Sequence, residues 1–272
     1  MVGNAATTNE LRDFAAIAER AAVAASRVID DALSTGDWAV RVKADSTPVT
    51  DVDIAAEKAI RAVLEEATPD AAFFGEETGH TRGQGRLRWL VDPIDGTKSF
   101  VRGLPFYSTQ IALEIDGLLA VGVSNAPAFG ERLSACAGGA VHLNGKPVVT
   151  SAVTTIDEAF LSAGNLASLA EDVGQWRRYG AIVARARRVR GYGDFCHYHQ
   201  LCSGGADLVI ESDVNILDIA ALTVAVRAAG GVITDIRGEP VGERTTSVLA
   251  AATDTLHAAA LVALQGDSDL QP

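Results

Sequence analysis

Basic residues are in short supply in this chain. Lysine and arginine number 23 against 35 aspartates and glutamates, a formal net charge of −12. Such a balance repels polyanions, which argues against nucleic acid or an anionic membrane as partner. It leaves room for a small anionic ligand, because a bound divalent cation inverts the local field. Cysteine is sparse too: Cys136, Cys196 and Cys202 are odd in number and form no CxxC pair. That disfavours a disulfide framework or a zinc site, and it predicts a reducing cytoplasmic setting with the thiols in the core. No uncharged apolar run reaches about 18 residues, so no membrane span is expected. The opening MVGNAATTNELRDF has no basic stretch leading into an apolar one, so no secretory signal is expected either. Repeats and low-complexity linkers are also missing.

What is present is apolar: 48% of 272 residues, enough to bury a sizeable core. A single domain over 1–272 is expected, with an N-terminal α+β half to about 150 and a C-terminal α/β half over about 151–272. From Asn9 to about Leu33 the spacing predicts a helix. Leu11, Phe14, Ala15, Ile17, Ala18, Ala21 and Val28 form its apolar face. KADSTPVTDVD is turn-rich, and a second helix is predicted over Val52–Ala67. AAFFGEE and RLRWLVD read as strands that stop on acid. Between Tyr107 and Ala137, short apolar runs broken by Asp-Gly and Gly-Glu turns predict antiparallel strands, and LNGKPV adds an Asn-Gly turn. After about Ser151 strands and helices alternate. The mixture predicts stacked α and β layers.

Acids collect where apolar elements end: Asp51 and Asp53 after PVT, Glu76 and Glu77 after AAFFG, Asp92 and Asp95 in WLVDPIDGTKSF, and Asp218 at the head of an apolar helix. Any one alone suits a solvated loop end or a helix cap equally well. Together they suit magnesium, which takes hard oxygen ligands. Pro93 fixes φ and so sets the separation of Asp92 and Asp95, and the Ile94 carbonyl is a further hard oxygen. Gly96 permits a tight turn. Thr97 and Lys98 open a short helix whose free N–H groups attract anions. Metal and phosphate can therefore lie side by side, with Thr97 orienting a water and a nearby acid accepting its proton.

GEE at 75–77, WLVDPIDGTKSF at 89–100 and LDIAAL at 217–222 resemble, in order and spacing, the inositol monophosphatase family of magnesium-dependent, lithium-sensitive phosphatases. The resemblance runs from the first helix to about Leu264. It implies a layered αβαβα sandwich, usually a homodimer, with two or three Mg2+ per site. It implies Glu76, Asp92 and the Ile94 carbonyl at the first metal, and Asp92, Asp95 and Asp218 at the second. Thr97 and Asp53, assisted by Glu76, would activate the water, while Gly96 and Thr97 amides would meet the phosphate. Many members have Trp-Asp where this chain has Leu217-Asp218, which puts the substrate wall in question but leaves the acid in place.

RVRGYGDFCHYH bears on the substrate. Inositol-specific members are small and uncharged here, whereas this chain has Asp194. An acid facing substrate favours a cationic alcohol moiety. The pattern resembles the histidinol-phosphate phosphatase branch, in which Asp194 and Glu211 would hold the amine and imidazole. Arg190 would reach the phosphate or form an internal ion pair. The alternative is an inositol or other sugar monophosphatase. A polyanionic nucleotide is disfavoured by Asp194, and a scaffold that lost catalysis is disfavoured by the full set of acids. His197 and His199, two residues apart, face different ways on a helix and read as packing or surface residues. Asp194 could instead cap the helix that follows.

Overall fold

A computed structural model describes residues 6–43 and 48–266. Residues 44–47 of the turn-rich stretch and the first five of the N-terminal segment lie outside the described residues. The fold begins with α1 (Thr8–Thr35). Thr7 caps it reciprocally with Glu10: the Thr7 hydroxyl accepts the Glu10 N–H, and the Glu10 carboxylate accepts the Thr7 N–H. Its buried stripe is Leu11, Ala15, Ala18, Ala21, Ala22, Ala25 and Ile29. Phe14, Ile17 and Val28 only flank it, because the alanines let α1 settle closely.

The short hairpin β1 (Val40–Val42) and β2 (Pro48–Thr50) leads into α2 (Asp51–Ala67), which packs on α1. Next come β3 (Ala72–Gly75), β4 (Gly79–Thr81), β5 (Leu87–Asp95), α3 (Thr97–Val101), β6 (Ser108–Ile115), β7 (Leu118–Ala126), β8 (Glu131–Cys136), β9 (Val141–Leu143) and β10 (Lys146–Val148). These strands form an eight-stranded sheet in the order β10-β9-β8-β7-β6-β5-β3-β4. β3 and β5 run parallel, while β5 through β9 pair antiparallel in sequence, as the Asp-Gly and Asn-Gly turns imply. α1 and α2 cover the sheet and close a core around Trp89, Val91, Ile111 and Leu113.

β11 (Phe160–Gly164), α4 (Ala167–Glu171), α5 (Val173–Arg185), β12 (Arg188–Arg190), α6 (Asp194–Cys202), β13 (Leu208–Ser212), α7 (Ile216–Ala228), β14 (Val232–Thr234), β15 (Ser247–Ala251) and α8 (Asp254–Gln265) follow. Their sheet has the order β12-β11-β13-β15-β14, parallel across β12, β11 and β13 and antiparallel beyond. α5 and α8 pack together over a core of Leu161, Ile182, Leu208, Leu249 and Leu256. Both parts thus layer helices on a mixed sheet, the expected α+β class.

The chain forms two compact units. One runs to Lys146 and takes back Leu217–Ala225; the other spans Pro147–Ile216 and resumes at Val226. α7 is apolar on nearly every side and buried almost throughout, as an interior helix must be. In the first unit its Ala221 backbone lies so near Gly122 of β7 that a β-carbon there would stand 2.3 Å from the Ala221 carbonyl oxygen. That close approach fixes the helix carrying Asp218.

Candidate active site

β5 does not stop at Asp92. It continues to Asp95 through a bulge in which Pro93 and Ile94 oppose the single residue Thr109 of β6. The acid that looked terminal is followed by three more strand residues because a bulge tolerates a proline, which has no N–H for the ladder. The bulge is fully bonded. Thr109 Oγ1 donates to the Pro93 carbonyl at 2.9 Å, and the Ile94 N–H donates to Asp92 Oδ1 at 2.9 Å. Gly96 then turns the chain at φ 88°, and a β-carbon on it would lie 2.5 Å from the Phe106 carbonyl oxygen. Only glycine serves both conditions. α3 starts on Thr97, capped by Gly96 with no side-chain bond, so Asp95 is not its cap.

Asp92, Asp95 and Asp218 point carboxylate oxygens at one another, all within 4.8 Å, the one such cluster of acid, histidine or cysteine side chains among the described residues. Asp92 and Asp95 are buried and Asp218 half-buried. Burial pushes the Asp92 carboxyl well above its ordinary range, and the charges of Glu76, Asp95 and Asp218 push it further. Such crowding is expensive without a counter-charge. The donors are all hard oxygens, which fits a hard divalent cation and not a softer one. The Ile94 carbonyl accepts Thr97 Oγ1 at 2.9 Å.

Thr97 and Asp53 come together as expected: Oγ1 lies 3.2 Å from Asp53 Oδ1. Asp53 sits in the first turn of α2 and not at the end of a strand. Its Oδ2 accepts the Thr50 N–H at 2.7 Å and the Thr50 hydroxyl, while Thr50 caps the helix. Burial raises the Asp53 carboxyl, against the bonds from Thr50 and Thr97.

Glu76 lies within hydrogen-bond reach of Asp92, and Lys43 Nζ holds it at 2.8 Å and its neighbour Glu77 at 2.6 Å. Burial opposes the Lys43 charge, yet these two bonds outweigh it and keep the ammonium above its usual range. Burial carries Glu77 from 4.5 up to about 6. Sequence reasoning missed Lys43, since nothing local ties it to acids more than thirty residues on. It also missed Glu57, which is fully buried and accepts the N–H groups of Glu77 at 2.8 Å and Thr78 at 2.6 Å. That pins the turn presenting Glu76. A signal existed: Asp53 and Glu57, four apart, share the apolar face of α2 with Ala56 and Ile60. Ser108 was missed as well. Its hydroxyl reaches Asp95 Oδ2 at 3.2 Å and is itself backed by Gln110 Nε2 at 2.8 Å.

The remaining expected residues belong to the second unit. Asp194 is the first residue of α6 at φ 47°; Gly193 holds the cap position, so Asp194 does not cap the helix. Glu211 is buried in β13 with three partners. Tyr198 donates to Oε2 at 2.8 Å, His197 Nε2 faces Oε2 at 3.1 Å, and Asn165 Nδ2 lies 3.3 Å from Oε1. Arg190 is exposed and donates to the neighbouring Val189 carbonyl. His197 and His199 are both buried, so neither is a surface residue. Lys98 is exposed. None of the three cysteines forms a disulfide; Cys196 and Cys202 are buried and Cys136 half-buried. No helix among the described residues is long and apolar enough to cross a membrane.

A close-set trio of carboxylates beside a threonine–aspartate pair, on this fold, marks a metal-dependent phosphoric monoester hydrolase. The chain belongs to the inositol monophosphatase family, whose model matches residues 10–268. It is 38% identical over 207 residues to a histidinol-phosphatase of Mycobacterium tuberculosis, covering 74% of this chain and 79% of that one. It is 39% identical over 198 residues to a histidinol-phosphatase of Chlorobaculum parvum, covering 72% and 75%. An inositol monophosphatase structure from Zymomonas mobilis superposes with a TM-score of 0.81 at 31% identity, over 96% of this chain and all of that one.

Proposed function

We propose that the enzyme hydrolyses histidinol phosphate to histidinol and phosphate, a step of histidine biosynthesis, using two or three Mg2+. The observation that carries the substrate is Asp194, an acid at the head of α6, where the family resemblance implies an uncharged residue for an inositol-specific enzyme. Likeness to two histidinol-phosphatases supports it. Glu76, Asp92, the Ile94 carbonyl, Asp95 and Asp218 are the oxygens that would hold the cations. Bound there, Mg2+ supplies charge neutralisation for the phosphoryl oxygens and makes a water more acidic. The protein does the rest. Thr97 Oγ1 and Asp53 orient that water and take its proton, and the raised Asp53 carboxyl suits proton transfer. Gly96 and Thr97 amides meet the phosphate, and Asp194 and Glu211 meet the cationic end of the substrate. Arg190 serves the phosphate. The enzyme works in the cytoplasm as a homodimer, a setting in keeping with its free thiols.

A second reading, an inositol monophosphatase, is favoured by one observation. Glu211 already has three donor partners, so it needs no cation to compensate it and can accept hydroxyl hydrogen bonds equally well. Magnesium-dependent phosphate release from histidinol phosphate, inositol 1-phosphate and a sugar phosphate separates the two. The expected result is a preference of at least about tenfold for histidinol phosphate, about 1.4 kcal/mol in transition-state terms, that shrinks in Asp194→Asn. A profile favouring inositol phosphate would overturn the substrate and leave the metal chemistry standing.

A further inference from the structure

Two consecutive residues of α6, His197 and Tyr198, both reach one oxygen of Glu211 on β13. Tyr198 Oη donates to Oε2 at 2.8 Å, and His197 Nε2 stands 3.1 Å from the same oxygen. To bond a carboxylate, Nε2 must carry the hydrogen. His197 Nδ1 is buried with no partner, the arrangement that leaves a bare lone pair in place of a stranded N–H. The two rings meet edge to face at 4.4 Å, so each restrains the other. All three residues are essentially inaccessible to solvent.

The other oxygen is treated differently. Oε1 has a long contact, Asn165 Nδ2 at 3.3 Å. It borders Gly164, where a β-carbon would lie 2.9 Å from Oε1 and 2.7 Å from the Gly193 α-carbon. Glycine at 164 leaves room for Oε1 itself, since a side chain there would collide with it, while the two donors on α6 fix Oε2. A carboxylate held this way presents one oxygen at a set angle, because two donors fix the other.

We infer that His197 and Tyr198 are positioning residues: they hold Glu211 by Oε2 so that Oε1 accepts a hydrogen bond from the ammonium of the substrate. The inference rests on the reading of Glu211 as a substrate residue. It adds two residues that touch no reacting atom and act through Glu211 alone.

The test compares KM and kcat for histidinol phosphate and for glycerol 2-phosphate, which has no cation, in Tyr198→Phe, His197→Leu, His197→Gln and Glu211→Gln. Tyr198→Phe and His197→Leu should raise KM for histidinol phosphate about tenfold with kcat nearly unchanged, leaving glycerol 2-phosphate unaffected. His197→Gln retains an N–H donor and should recover most of the loss. Equal loss on both substrates would mean a purely structural role and overturn the inference. An unchanged KM ratio in Tyr198→Phe and His197→Leu, with a changed one in Glu211→Gln, would overturn the inference but spare the reading of Glu211. An unchanged ratio in Glu211→Gln itself would remove that reading and the inference with it.

Discussion

Each unit buries acid, and the company the acid keeps differs. In the first, Asp92 faces Glu76, Asp95 and Asp218, like charge against like charge. In the second, Glu211 has a phenol, an imidazole and an amide around it. A carboxylate among donors is settled by the protein itself. A carboxylate among carboxylates is unsettled until a cation arrives, and its raised pKa is the measure of that. The contrast separates acids that bind a cation from acids that orient something else.

The sharpest way to break this contrast is Asp92→Asn. Activity should fall by at least about a thousandfold, roughly 4 kcal/mol in barrier. The melting temperature without metal should not fall, because one repelling charge has gone. Near-normal turnover, measured as phosphate release, would remove Asp92 from the ligand set.

The next effect is linkage. Asp92, Asp53 and Glu77 all have raised carboxyls, so the native state holds more protons than the unfolded one. Metal-free stability therefore falls as pH rises from 4.5 through about 6 for Glu77, and the raised Asp92 and Asp53 carboxyls act in the same direction. A cation bound to ionised carboxylates reverses the trend. At one fixed Mg2+ concentration the rise in melting temperature should be larger at about pH 7.5 than at about pH 5.5, because Kd is lower where the carboxylates are ionised; a hundredfold excess over Kd stabilises by about 2.7 kcal/mol. Equal gains at both pH values would show that the crowded acids are not where the metal binds.

The smallest expected effect sharpens the comparison from within the first unit. Glu57 is a buried acid of the settled kind, bonded to the Glu77 and Thr78 amides. Glu57→Gln should cost about 2 kcal/mol of stability, read from denaturant unfolding, and should weaken the magnesium-induced shift by loosening the turn at Glu76. Unaltered stability would mean those two bonds contribute nothing net.

What could be read from residue order follows the same division. The Asp92–Thr97 segment was legible because proline, glycine and a helix start act locally. The strand end was set three residues short only because a bulge depends on the partner strand. Lys43 and Ser108 act across folded distance, and no neighbour in sequence announces them, whereas Glu57 had a local sign in its place on the apolar face of α2. His197 read as packing or surface for the same reason: it sits on α6, and its partner Glu211 comes from the strand β13. Asp194 stands one place past the cap because Gly193 takes the cap itself, with extended ψ of 174°.

Asp218 reaches the first unit on Leu217–Ala225, after Pro147–Ile216 has gone to the second. During synthesis the chain emerges in order, and N-terminal elements fold first. The first unit can assemble its strands and most of its acids early, but it waits for its third aspartate until Pro147–Ile216 of the second unit has been made. A ribosome that stalls before residue 218 releases a product with two of the three carboxylates and no helix to cover that face of β7. Phosphate hydrolysis is thus tied by topology alone to synthesis past Leu217–Ala225, with no separate checkpoint.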